Sequence, residues 1–301
     1  MKVNKYPFVL VVIINYNGYE NTVECLESIR RITYPNYKVV VIDNASRNDE
    51  ISDLKRSFPE HTYILSKKNI GFSGANNLGI QFGQQAGAEF FLFINNDTIV
   101  TKDFLEPLVQ PFITMDEVGV TTPQIAYYHS RDTLWMAGGA LSKIRGSGYG
   151  YKAGSRVTMS TDLEDITFAS GCCILIPSAV ISTIGSWRED FFLYVEDVEL
   201  SLRVMKAGYK IYLVNESIIY HKVNASMQLQ TNNLPLYYMI RNKLYLSLIY
   251  FDIYSVFAIA YITVSTCAKM MLWLLFDRKK FHAAFEALYD FSRGRFGEKR
   301  Q

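Results

Sequence analysis

Charge of one sign is almost absent from this chain: across 301 residues, 31 Lys and Arg stand against 29 Asp and Glu, a formal net charge of +2. That balance removes any chain-wide electrostatic attraction to nucleic acid. The basic excess is local, with seven Lys or Arg against four acids between Asp277 and Gln301. Cysteine is equally scarce. Cys25, Cys172, Cys173 and Cys267 form no CxxC pair and no regular spacing, which argues against a metal knuckle or a disulfide framework and fits reduced thiols in a cytosolic compartment. No glycine fingerprint follows the first apolar run, where IINYNG stands, and this argues against a dinucleotide-binding dehydrogenase. The N-terminus has a basic start and an apolar stretch, yet it lacks the small-residue cleavage site of a secretory signal. Its short, β-branched run from Phe8 to Ile14 reads as a buried strand.

What is present suits a folded chain with a large core, at 49% apolar and 20% charged residues. The first 125 residues alternate β-branched runs (Phe8–Ile14, Lys38–Ile42, Thr62–Leu65, Phe90–Ile94) with amphipathic segments near Asn21–Ile32, Glu50–Phe58 and Ser73–Gln85. This is the pattern of a parallel sheet covered by helices. Asn21 and Glu24 have capping-box spacing for the first helix. Three strands end in polar residues, Asn15–Asn17, Asp43–Ser46 and Asn95–Asp97, and in open α/β sheets ligands bind at those ends. The middle, from Tyr127 to Thr167, reads as loops and short strands, with a mobile Gly-rich stretch GGALSKIRGSGYGYKAGS. Farther on, VEDVELSLRVMKAG predicts a helix with Glu196 and Asp197 at its start and Gly208 closing it. There, oriented backbone amides favour charged carboxylates. From Ile253 to Ala268 sixteen residues carry no charge, short of the roughly twenty that span a bilayer. A membrane-lying or hairpin-like helical region, or a face for a homo-oligomer, fits better than a clean span. Phe281, Phe285 and Leu288 share one face of a basic helix suited to a membrane interface.

Individually the polar clusters are ambiguous. In FLFINND, Asp97 at a strand edge could hold a hard divalent cation that bridges two phosphates, and the same residues also fit an Asx turn. Asp43 is placed to accept hydrogen bonds from a ribose or base, or to stabilise its own turn. In NIGFSGANNLG, glycines around Asn76 allow a backbone to approach phosphate, although the spacing matches no established phosphate loop. Glu196 and Asp197 offer a general base or simply cap a helix. His221 could be a ligand or a structural histidine.

As an ordered set, VVIINYNG, VIDNAS, NIGFSGANNLG, FINNDT, FASGCCILIP, FLYVEDVELSLR and the later His221 resemble glycosyltransferase family 2, of GT-A fold, and in particular its bacterial rhamnosyltransferase-like members. The resemblance covers about residues 8 to 225. It implies that Asn15, Tyr16, Asn17 and Asp43 bind the nucleoside, that Asn76, Asn95 and Asn96 lie near the donor, and that Asp97 and His221 bind Mg²⁺ or Mn²⁺. It further implies that Asp197 is the base, beside Glu196. One departure is Asn95, where the family's metal motif has Asp; it removes a charge from the metal site.

The fold expected is therefore α/β, a mostly parallel sheet flanked by helices over residues 1–233, followed by a helical membrane-associating region over 234–301. The activity expected is inverting transfer of a sugar, with dTDP-rhamnose the leading donor, to a hydroxyl of a polyprenyl-linked saccharide at the cytoplasmic face of the plasma membrane. Inversion is expected because one base suffices and no second nucleophilic carboxylate is evident. A non-catalytic nucleotide-sugar-binding subunit of a membrane assembly is the alternative; it has no need of Asp197 and His221 beside the metal motif.

Overall fold

A computed structural model describes residues 5–223 and 233–299. The basic start, most of the polar turn after His221 and Arg300 lie outside the described residues.

The first half alternates strand and helix: β1 (Val9–Asn15), α1 (Tyr19–Ile29), β2 (Tyr37–Asp43), α2 (Glu50–Ser57), β3 (Thr62–Leu65), α3 (Gly71–Gln85) and β4 (Phe90–Asn95). The four strands are parallel in the order β3-β2-β1-β4. β1 is central because VLVVIIN has an apolar side chain for each face, as a strand covered on both sides requires. Val9, Val11 and Ile13 pack toward Leu26, Ile29 and Leu54, while Leu10 and Val12 pack toward Ala75 and Ile80 of α3. The strand order reverses between β1 and β4, the switch point at which such sheets open a crevice.

The second half is β5 (Thr98–Val100), α4 (Leu105–Thr114), β6 (Val118–Tyr127), β7 (Leu134–Met136), β8 (Gly139–Ser142), β9 (Ser147–Gly150), β10 (Leu163–Ile166), β11 (Cys173–Pro177), α5 (Ser178–Ile184), α6 (Glu196–Lys206) and β12 (Lys210–His221). Here the sheet is mixed. β11 runs antiparallel between β4 and β6, β12 runs parallel to β6, and the short β5 returns antiparallel along the end of β12. Three helices follow, α7 (Leu234–Tyr250), α8 (Tyr254–Phe276) and α9 (Arg278–Ser292). The proposed division at residue 233 falls inside a shared core: Tyr245 and Leu246 of α7 pack with Phe191, Val195, Val198 and Leu202 around the start of α6.

Three expectations are corrected. The capping box at Asn21 and Glu24 does not form, because α1 begins at Tyr19 with the Gly18 carbonyl accepting the Thr22 amide; both side chains instead bind the Lys222 ammonium. The Gly-rich stretch read as mobile contains the β8–β9 hairpin. Two of its glycines are contact points: a Cβ on Gly148 would meet the Phe168 ring at 2.7 Å and one on Gly146 would meet Ser247 Oγ at 2.5 Å. Finally, the apolar run does not stop at Ala268: α8 continues through Lys269 for 23 residues, long and apolar enough to cross a membrane by length and composition.

Candidate functional site

Asn15 ends β1 fully buried. Its Nδ2 lies 3.1 Å from both Asp43 Oδ1 and Ser46 Oγ and 2.9 Å from Glu50 Oε2, and its Oδ1 accepts the Thr22 hydroxyl at 2.8 Å. It therefore faces protein on every side and ties the β1 and β2 ends together. Asp43, at the end of β2, also accepts the Ser46 hydroxyl at 2.6 Å and the Ser46 amide at 3.2 Å, and so stabilises its own turn. The Ser46 hydroxyl in turn accepts the Asn17 amide at 3.0 Å. Tyr16 is exposed, and Asn17 adopts a positive φ of 52°. Ser46 and Glu50 were not picked out from sequence, though Ser46 stands in VIDNAS three positions after Asp43.

The glycines of NIGFSGANNLG serve packing. Added Cβ atoms on Gly79 and Gly74 would meet Val12 at 2.5 Å and Ile70 at 3.1 Å, and Gly71, at φ 76°, sits against the Phe192 carbonyl. The amides that open α3 already have partners, Asn44 Oδ1 for Ile70, Asn69 Oδ1 for Gly71 and the Phe192 carbonyl for Phe72. These three amides are thus already engaged within the protein. Asn76 is buried with its Nδ2 unpartnered among the described residues, while Asn77 is bound to Trp187 and Glu189.

Asn95 ends β4, and its amide donates to the Cys172 carbonyl. Asn96 Nδ2 donates to the Thr22 hydroxyl at 2.9 Å. The chain then reverses into β5, whose Thr98 is in register with His221 at the end of β12. That pairing brings Asp97 Oδ1 to 3.2 Å from His221 Nε2, with both residues buried. Burial disfavours the charged imidazole, but the Cys172 sulfur and the Asp97 carboxylate favour it, and the net effect lifts the His221 pKa to about 10. Trp135 stacks edge-on against the ring at 4.7 Å. His221 Nδ1 has no hydrogen-bond partner among the described residues.

The Asp97 carboxylate suits a divalent cation, and a cation bound there would displace the proton that Asp97 attracts to His221, freeing Nε2 as a second ligand. Two ligands on adjacent corners of an octahedron with bonds of about 2.1 Å lie about 3 Å apart, close to the spacing of this carboxylate and imidazole. Among the described residues no third His, Cys, Asp or Glu joins them, which would leave most of the coordination sphere to substrate and water.

Glu196 and Asp197 open α6, as expected. The backbone enters through two left-handed residues, Tyr194 at φ 65° and Val195 at φ 75°. Asp197 Oδ2 accepts the Gly171 amide at 3.0 Å and Oδ1 the Val198 amide at 2.8 Å. The amides at this helix start favour the charged form of Asp197, as expected, but burial outweighs them. Burial raises the pKa of Asp197 despite the Gly171 and Val198 amides, and burial together with the Asp197 charge raises that of Glu196 well above the carboxylate range. Glu196 Oε2 has no partner among the described residues. The proton of this pair therefore belongs on Glu196, and the charge on Asp197, whose oxygens both accept amides.

Ser170–Gly171–Cys172, the turn before β11, joins the two halves, one residue bonding Asn95 and the next-door amide bonding Asp197. The motif FASGCCILIP contains this turn, but nothing in its spacing announces it as a bridge.

A sequence model described as glycosyl transferase family 2 matches residues 10–185. The chain is 24% identical over 283 residues to the low-salt glycan biosynthesis hexosyltransferase Agl10 of Haloferax volcanii, covering 89% of this chain and 85% of that protein. It is 23% identical to the dTDP-rhamnosyl transferase RfbF of Shigella flexneri, over 78% of each. It is 22% identical to an N-acetylglucosaminyl-diphospho-decaprenol L-rhamnosyltransferase of Mycobacterium tuberculosis, over 72% of this chain and 76% of that one. Among solved structures, GalNAc-T7 with UDP, GalNAc and Mn²⁺ superposes with a TM-score of 0.62 at 16% identity, over 83% of this chain. This chain spans about half of that protein, 49%, and the likeness is one of fold.

Proposed function

The chain belongs to glycosyl transferase family 2 and is a glycosyltransferase, and from that premise we propose that it is a divalent-metal-dependent, inverting enzyme. In this reading it transfers rhamnose from dTDP-rhamnose to a hydroxyl of a polyprenyl-diphosphate-linked saccharide. The observation that carries the reading is the convergence of the Asp97–His221 pair and the Asp197 carboxylate through the Ser170–Cys172 turn. The names of the Shigella and Mycobacterium relatives support the donor and the lipid-linked acceptor.

Asp97 and His221 would hold Mg²⁺ or Mn²⁺, whose chemistry when bound is to neutralise the diphosphate of the donor. Asp43, Tyr16 and Asn17 face the nucleoside end. A cleft of about 520 Å³ beside Asn17, lined also by Glu20, Asn48 and Asp49, suits the hydroxyl and N–H donors of a nucleoside better than phosphate. Asp197 takes the proton of the acceptor hydroxyl as that oxygen bonds to the anomeric carbon, and the bond from that carbon to the β-phosphate oxygen breaks. A single displacement inverts the centre. Glu196, protonated beside it, keeps a second negative charge away from the incoming donor.

The C-terminal helices support action at a membrane, which the proposal sets at its cytoplasmic face. α8 buries only the stripe Ala258, Ile262, Thr266 and Met270, leaving Val256, Phe257, Val264, Leu272, Leu275 and Phe276 exposed, an apolar surface far wider than a soluble helix shows. Next to it, burial lowers the pKa of the Lys243 ammonium, and Lys269 and Arg145 lower it further with no acid offsetting them. Such a cluster suits anionic headgroups. The deciding experiment offers a panel of nucleotide sugars with an N-acetylglucosaminyl-diphospho-polyprenol and follows diphosphate-nucleoside release. Release from dTDP-rhamnose that requires both acceptor and Mg²⁺ or Mn²⁺ is expected; metal-independent release, or none from any donor, would overturn the proposal.

A further inference from the structure

The segment leading into α6 is held in an expensive shape. Two successive non-glycine residues, Tyr194 and the β-branched Val195, have left-handed φ angles, a region that residues with a Cβ, and β-branched ones above all, rarely adopt. Such a conformation persists only where its surroundings over-determine it. Here four successive carbonyls are captured. Those of Phe191 and Phe192 accept the Ser73 hydroxyl at 3.0 Å and the Phe72 amide at 2.8 Å, both from α3. Those of Leu193 and Tyr194 accept the two hydrogens of a single side-chain amide, Asn242 Nδ2 on α7, at 3.0 and 2.9 Å.

Chemistry fixes the orientation of that amide. Asn242 Oδ1 accepts from Arg241 Nε and Nη2 at 3.1 and 3.0 Å. Arginine only donates and carbonyls only accept, so a flipped amide would lose all four bonds. Asn242 is fully buried and every one of its polar positions is used. Arg241 is buried too, and is anchored by the Tyr237 hydroxyl at 3.1 Å and the Gly297 carbonyl at 2.7 Å. The chain of contacts thus runs from the C-terminal segment through α7 to Tyr194, two residues before Glu196.

We propose that Asn242 is a positioning residue for transfer: by holding the carbonyls of Leu193 and Tyr194 it sets the start of α6 so that the Asp197 carboxylate meets the Gly171 amide and faces the acceptor. This rests on the reading of Asp197 as the base. Asn242 touches no substrate; it acts through the backbone.

The test uses the full chain, with dTDP-rhamnose and an N-acetylglucosaminyl-diphospho-polyprenol for turnover, dTDP with Mn²⁺ for calorimetry, and hydrogen exchange of residues 193–198. N242A is expected to lower kcat by on the order of 10²-fold, the usual cost of a displacement of about 1 Å, to leave dTDP affinity unchanged, and to speed exchange in that segment. N242D keeps the size and the Arg241 partner but turns a carboxylate on two carbonyls, so it reports the same loss should the alanine variant not fold. In a D197N background either substitution is expected to add little, because the group being positioned no longer works. A merely structural role would multiply the two defects. Full kcat in both variants, a multiplicative defect, or unchanged exchange would overturn the positioning role. Wild-type turnover by D197N alone would instead sink the base assignment, and a wild type silent with this pair would sink the proposed substrates; in either case the exchange result still judges Asn242.

Discussion

Asp97 acquires its partner from far along the chain, because β5 doubles back along the end of β12 and sets Thr98 against His221. Removing the carboxylate should therefore abolish metal-dependent donor binding rather than weaken the fold: Asp97→Ala is expected to show no Mn²⁺-dependent component when dTDP is titrated in a calorimeter, and unchanged metal dependence would refute the ligand assignment. At the other half of the site the expected outcome is kinetic. Asp197→Asn should lower transfer by about 10²–10⁴-fold, the usual worth of a general base, with donor affinity nearly unchanged. The rate should be lost as pH falls through the Asp197 pKa, and because burial raises that pKa above its ordinary 3.8, the acid limb should stand above the value of a free aspartate. Glu196→Gln replaces a group already protonated, so it should leave the limb in place with a milder defect. A limb that moves to lower pH in the Glu196 variant would mean that Glu196 carries charge in the native enzyme. The acid pair and its place at a helix start were readable from VEDVELSLR, but the direction of its pKa shifts was not, since burial is a property of the packed chain.

The elements show the same division between what local sequence encodes and what only pairing creates. β1, β2 and β4 were legible because fully buried parallel strands must be runs of β-branched and large apolar residues, and their polar last residues marked the crevice. The β5–β12 pairing, the Ser170–Cys172 bridge and the amide of Asn242 were not, because each joins segments distant in sequence with no periodicity to betray the contact. The glycines of α3 are an intermediate case: visible as a cluster, but used for close approach to the sheet and to Phe192 rather than to phosphate. Two of the chain's glycines separate these effects. Gly71 and Gly87 share nearly the same φ, 76° and 74°, but a Cβ on Gly71 would lie 2.2 Å from the Phe192 carbonyl oxygen, whereas Gly87 has open space. Gly87→Ala should cost about 1–2 kcal/mol for the left-handed backbone alone. Gly71→Ala should cost about 1–3 kcal/mol more for the clash. Urea unfolding of both variants gives the comparison, and equal midpoints would mean that α3 can retreat from Phe192 at no cost.

For the whole molecule the question is whether the C-terminal helices are an appendage or part of the enzyme. Tyr245 and Leu246 complete the core around the start of α6, and Asn242 holds its entry, so cutting the chain before Leu234 is expected to remove activity along with any membrane affinity and cannot separate the two. Surface substitution can. Val256, Phe257, Val264 and Leu275 project from α8 without entering the core, and changing all four to Ser removes exposed apolar area, at about 25 cal/mol per Å² that would otherwise be buried in lipid, while leaving the Ala258–Met270 stripe intact. If α8 lies in the interface, the wild type should float with vesicles containing anionic lipid and the fourfold variant should remain in the soluble fraction. Titration with dTDP and Mn²⁺ should give the same affinity for both, because none of the four residues belongs to the nucleotide half of the site. Transfer to a water-soluble short-chain acceptor should likewise persist in the variant, whereas transfer to a long-chain polyprenyl acceptor embedded in vesicles should fall, since only the latter needs the protein at the surface. A variant that floats as well as the wild type would remove α8 from the membrane and leave its exposed face to a second copy of the chain, which sedimentation at rising protein concentration would then reveal.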